Sequence, residues 1–142
     1  GRTDKLKQYK DNKFYQSPEK INENTTYTIE SLIPDESYVK KLYDKLKDII
    51  IEMYPDLKIN PLKNYIGFKK TKKHNVLSLW PKESSIEVVL NAKKGTLNDK
   101  YDLVYDISNR MWSAAHYAFR YDENTDINAV KDLIKQTYDL VK

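Results

Sequence analysis

Apolar side chains recur at helical spacing in the first ordered-looking part of the chain: Val39, Leu42, Tyr43, Leu46, Ile49, Ile50 and Met53. That period places them on one face and predicts an amphipathic helix over 36–53. Asp35, after Pro34, is suited to cap its first amides, and Glu36 favours the first turn. Pro55 ends it by pushing Tyr54 out of the α region. Ahead of the helix, residues 27–32 alternate and predict a short extended opening segment. Beyond it the period changes. Tyr65–Lys69, Val76–Trp80 and Ile86–Asn91 are short runs rich in β-branched and aromatic residues, each bounded by turn residues, which predicts three strands. The connections 70–75 and 81–85 are of hairpin length and imply antiparallel pairing.

After a turn at 93–99, Leu103, Val104 and Ile107 take helical spacing and predict a helix over 101–110. A fourth strand follows at Tyr117–Tyr121, with Tyr117, Phe119 and Tyr121 on one face. Thr125 or Asp126 caps a last helix whose apolar face is Ile127, Val130, Ile134, Tyr138 and Val141. The order predicts an α+β fold: an antiparallel sheet of about four strands, a meander plus one strand after a helix, packed with an N-terminal and a C-terminal helix. The first 26 residues lack any such period and are dominated by Lys, Asp, Asn, Glu and Gln. They are read as a polar linker or arm, leaving 27–142 as one domain. The chain opens Gly1-Arg2-Thr3, as a fragment of a longer protein would.

Composition narrows the chemistry. The 142 residues include no Cys, three Gly, 12 Tyr and two Trp. A disulfide scaffold, a thiolate metal site and a cysteine nucleophile are excluded. No apolar run approaches the roughly 20 residues of a membrane helix, and no secretory signal is present, so a cytoplasmic, non-membrane location is expected.

A set of local motifs carries a family resemblance. Tyr65-Ile66-Gly67-Phe68-Lys69, Asn75-Val76-Leu77-Ser78-Leu79, the run Leu90–Asp99 and Asp106-Ile107-Ser108-Asn109 together resemble an uncharacterised bacterial and archaeal domain family known as a "predicted transport protein". The resemblance covers residues 27–142. It implies a domain found C-terminal to other regions, some restriction-endonuclease-like or defence-associated, and it implies no particular reaction. It also marks Asp106, Ser108 and Asn109 as signature residues with a structural or binding role. Where the family has a glycine-bearing turn, this chain has Arg110-Met111-Trp112-Ser113-Ala114-Ala115.

Charge points to a surface. The net charge is +4, but residues 57–100 hold ten lysines against three acids, and the rest of the chain is net acidic. Lys69, Lys70, Lys72 and Lys73 crowd one hairpin turn and Lys93 and Lys94 a later one. With Trp112 as an added stacking group, these are the candidate residues for contact with nucleic acid or a protein partner. Lysine at turns is also an ordinary solubility device. Only three Arg are present, which disfavours base-specific bidentate reading. The aromatic row Tyr117, Phe119 and Tyr121 fits either core or the wall of a small-ligand pocket. His74 and His116 are too few for a metal site. Glu87, alone in a strand interior, is expected to face solvent, and no nucleophile or base constellation accompanies it. The chain thus reads as a non-catalytic accessory or binding domain without cofactor or metal, with a small-ligand-binding, transport-related domain as the alternative.

Overall fold

A computed structural model of the chain describes residues 27–110 and 114–142. The expected arm, residues 1–26, and Trp112 lie outside the described residues. Among the described residues, three helices, Ile29–Leu32 (α1), Tyr38–Met53 (α2) and Ile127–Leu140 (α3), accompany six strands: Lys58–Pro61 (β1), Ile66–Lys69 (β2), Asn75–Pro81 (β3), Ile86–Leu90 (β4), Tyr105–Asp106 (β5) and Tyr117–Tyr121 (β6). The strands form one antiparallel sheet in the order β1-β2-β3-β4-β6-β5. The class is α+β, with six strands rather than about four.

Three local expectations change. The opening segment is the short helix α1, because Thr28 and Ser31 form a reciprocal capping box that satisfies two amides at once. The cap of α2 is Ser37, whose Oγ accepts from Lys40 N at 3.2 Å, not Asp35. The helix expected over 101–110 does not form. Asp99 accepts from the amides of Leu103 and Val104 at 2.9 and 3.1 Å, taking donors a helix would have used. Asp102 adopts φ 54, the left-handed region that turns the chain into β5.

The sheet is two-sided in character. Ile66 and Phe68, Leu77 and Leu79, Ile86, Val88 and Leu90, and Phe119 and Tyr121 pack in one core cluster with Leu42, Leu46 and Ile50 of α2 and Val130, Leu133 and Ile134 of α3. Phe119 and Tyr121 are therefore core. On α3 the fully buried positions are Ala129, Val130, Leu133, Ile134 and Thr137, while Tyr138 is half-buried. Among the described residues, no helix packs on the opposite face, which carries Gly67, Ser78, Trp80, Glu87 and Val89. Ile107 packs there with Val89 and Ala118 in a small second cluster beside Trp80 and Ala115.

Candidate functional site

A backbone irregularity builds the open face. Phe68 pairs with Leu77, but Lys69 pairs with Asn75, leaving Val76 as the extra residue on β3. Such a bulge re-aims the side chains beside it. The Asn75 amide lies across Gly67, where an added Cβ would stand 2.8 Å from Asn75 Oδ1. Glycine is what makes room for it. Ser78, the cross-strand partner of Gly67, accepts from Trp80 Nε1 at 3.0 Å. Trp80 stacks on Tyr65 with ring centroids 4.6 Å apart and planes within 17°. Asn91 Nδ2 donates to the Asn75 carbonyl at 2.8 Å.

Tyr65, Asn75, Ser78, Trp80 and Asn91 line a cleft of about 580 Å³, with Lys73, His74 and Arg110 contributing cationic and imidazole groups. Among the described buried side-chain polar atoms, Asn75 Oδ1 alone lacks a hydrogen-bond partner. An orphan acceptor of that kind costs free energy. A second cleft of about 300 Å³ lies alongside, lined among others by His74, Asn91, Lys93, Ala114 and Lys142. His74, Asn91 and Ala114 belong to both.

The lysines sort by what they touch. Lys72, Lys73 and Lys93 are exposed. Lys69 Nζ donates back to the Lys72 carbonyl at 3.1 Å. Lys94 Nζ is 3.4 Å from Asp106 Oδ2. Lys70 is half-buried, and its Nζ donates to the carbonyls of Tyr138 and Val141 at 2.9 and 2.8 Å. It also sits 3.9 Å from the Tyr138 ring centroid. That ammonium is a cap on the C-terminal end of α3, where the helix dipole is negative. It is committed to the fold.

The signature residues follow the chain as it crosses the open face. Asp106 Oδ1 accepts from Ser108 N at 2.7 Å. Hydrogen bonds from the Ser108 hydroxyl and backbone, then Lys94, hold the Asp106 carboxyl down at about 2. Asn109 is exposed. His116 Nδ1 accepts from Lys94 N at 3.0 Å, and the Tyr117 hydroxyl accepts from Gly95 N at 2.7 Å. Both pin the turn that carries Lys93.

Glu87 is not solvent-facing as expected: its side chain is 14% exposed and 2.9 Å from the Arg110 guanidinium. Tyr105 Oη donates to the same carboxylate at 2.5 Å. Burial raises the Glu87 carboxyl, but the Tyr105 and Arg110 hydrogen bonds with the Arg110 and Lys82 charges outweigh it, and the net displacement is downward. Burial and then Glu87 push the Tyr105 phenol up to about 12. A carboxylate held ionised and a phenol held protonated are poorly matched to proton transfer at neutral pH. The trio ties β5 and Arg110 to β4. Among the described residues, no three His, Asp or Glu side chains gather as a metal-holding group, and no helix is long and apolar enough to cross a membrane.

The sequence reading missed Tyr65, Trp80 and Asn75 as a set. Strand alternation placed Trp80, but the bulge that brings Asn75 to the same face leaves no mark in the residue pattern.

Compared with known proteins, residues 29–141 match the family described as "Domain of unknown function (DUF5655)". An uncharacterised protein of Haemophilus influenzae is 28% identical over 100 residues, covering 70% of this chain and 32% of that protein. The chain thus spans about a third of the length of this curated relative. No solved structure matches.

Proposed function

Because the chain belongs to the DUF5655 family, a domain of unknown function, we propose that it is a non-catalytic binding module whose open sheet face receives single-stranded nucleic acid. The observation that carries this reading is that the two clefts share His74, Asn91 and Ala114 in their walls. Aromatic rings lie on one side of that junction, with Lys73, Lys93 and Lys142 around it. Stacking groups beside a cationic track suit unpaired bases on a phosphate backbone. Lysine without abundant arginine suits backbone contact rather than base-specific readout.

The test is fluorescence anisotropy with labelled single-stranded oligonucleotides. Three phosphates neutralised give a log–log salt slope of about −2, so affinity should fall roughly fifteenfold between about 50 and 200 mM salt. Changing Lys72, Lys73 and Lys93 together to Glu should abolish most of the binding and flatten that slope. Lys70 is left intact so that the α3 cap survives. Binding undetectable at the lower salt, or indifferent to the triple change, would overturn the reading.

A further inference from the structure

We infer that the cleft beside Tyr65 and Trp80 is a small-molecule site for a planar aromatic carboxylate, its ring against those two side chains and its charge on the Arg110 guanidinium. None of Lys72, Lys73 and Lys93, on which the polymer reading is tested, is required, so this site goes beyond that reading. The placement follows from strand register. Trp80 of β3 stands opposite Glu87 of β4, and Glu87 Oε2 holds Arg110 Nη2 at 2.9 Å. The guanidinium is thereby brought to the aromatic pair, and all three residues line the same cleft. Each is reachable: the Arg110 side chain is 51% exposed, and Tyr65 and Trp80 are half-buried.

Both halves of the site are held by the fold. Trp80 stacks on Tyr65 with ring centroids 4.6 Å apart, and its Nε1 donates to Ser78 Oγ at 3.0 Å, which fixes the indole plane. Val89 and Ala115 continue the cleft wall with apolar surface. A fixed indole beside apolar groups favours a flat ring over a puckered one. On the polar side, Tyr105 donates to Glu87 Oε2, the oxygen that also receives Arg110. Glu87 thus orients Arg110 without itself lining the cleft. A guanidinium carries five N–H donors in a planar fork, and the two oxygens of a carboxylate match that fork. Among the described lining residues none is Asp or Glu, whereas Lys73 and Arg110 are cationic, so the lining suits an anion. The volume, about 580 Å³, lies in the range of small-ligand pockets.

The experiment titrates three probes of similar size into the ¹⁵N-labelled chain: benzoate, its neutral planar isostere benzamide, and cyclohexanecarboxylate, which keeps the charge without the flat ring. The Trp80 indole N–H and Arg110 Nε–H resonances are followed. Benzoate should shift both, with a dissociation constant of about 1 mM or tighter. Each analogue should bind on the order of tenfold more weakly, benzamide for want of charge-assisted hydrogen bonds and cyclohexanecarboxylate for want of an aromatic face. Arg110→Gln should bring benzoate down to the affinity of benzamide and leave benzamide itself unchanged, whereas a merely structural effect would weaken both alike. The assignment is overturned if up to about 10 mM benzoate moves neither resonance, or if either analogue binds as well as benzoate. It is equally overturned if Arg110→Gln weakens benzoate and benzamide alike or leaves both unchanged. The two analogues test the unaltered chain, so the outcome is decided even should Arg110→Gln fail to fold. Failure of oligonucleotide binding with benzoate still bound would remove the nucleic-acid reading and leave this one standing, and the reverse result would remove this one alone.

Discussion

Asp106 shows how much one exposed side chain can organise. Its carboxylate receives Ser108 N at 2.7 Å and faces Lys94 Nζ at 3.4 Å, so a single residue joins the crossing chain to the lysine turn. With its folded value near 2 against about 3.9 unfolded, the ionised form is favoured by folding. The resulting stabilisation is complete above about pH 4 and is lost as pH falls through the range down to about 2. Asp106→Asn keeps an acceptor for Ser108 but removes the charge. We therefore expect the variant to melt below the parent at pH 7 and the gap to close as the pH is lowered from 4 to 2, followed by circular dichroism. A gap constant with pH would show that the charge contributes nothing. The signature position was legible in the sequence because Asp followed two residues later by Ser is a local turn device. Its partner Lys94 was not, since the pairing depends on how two distant turns meet.

At the scale of elements, the periodic segments were legible and the irregular ones were not. The strand at Tyr117–Tyr121 and the long helices declare themselves, since a packed face needs regular apolar spacing. β1 is short, half-exposed and contains Pro61, so it lacks a buried-strand signal. β5 has only two residues. The spacing of Leu103, Val104 and Ile107 imitated a helix until Asp99 claimed the amides. Lys70 has a structural contact that the residue pattern does not mark. Among its neighbours it looks like one more turn lysine, whereas its ammonium joins the β2–β3 hairpin to the end of α3. Lys70→Met keeps the apolar stem over Tyr138 and removes the cap. We expect about 1–2 kcal/mol lower stability, from lost charge-assisted hydrogen bonds and the helix-end charge. Urea unfolding should show a lower midpoint with an unchanged slope. A midpoint equal to the parent's would return Lys70 to the exposed basic surface.

Across the whole molecule, the two faces of the sheet have unequal support, and this sets where the domain opens first. The helix side holds the large core cluster from Ile33 to Val141. Among the described residues the open side holds a small cluster of Val89, Ile107 and Ala118, under a crossing segment fastened by the Glu87 contacts to Tyr105 and Arg110 and the Asp106–Lys94 pair. Few buried apolar contacts and many exposed polar ones are the mark of a unit that opens below the global free energy. The cleft wall at Arg110, Ala114 and Ala115 belongs to that crossing, so local opening and access to the site are coupled by construction. Hydrogen exchange should find amides such as Leu79, Val88 and Phe119 protected to the limit of global unfolding. The amide of Ser108, which donates to the Asp106 carboxylate, should exchange from a state roughly 2–5 kcal/mol lower, out of a global stability of about 5–15 kcal/mol. Glu87→Ala deletes the acceptor shared by Tyr105 and Arg110, and should speed exchange in residues 105–110 while leaving the core amides within a small uniform shift. Equal protection on both faces, or acceleration spread evenly through the core, would mean that the crossing unfolds with the sheet and that the open face is as rigid as the closed one.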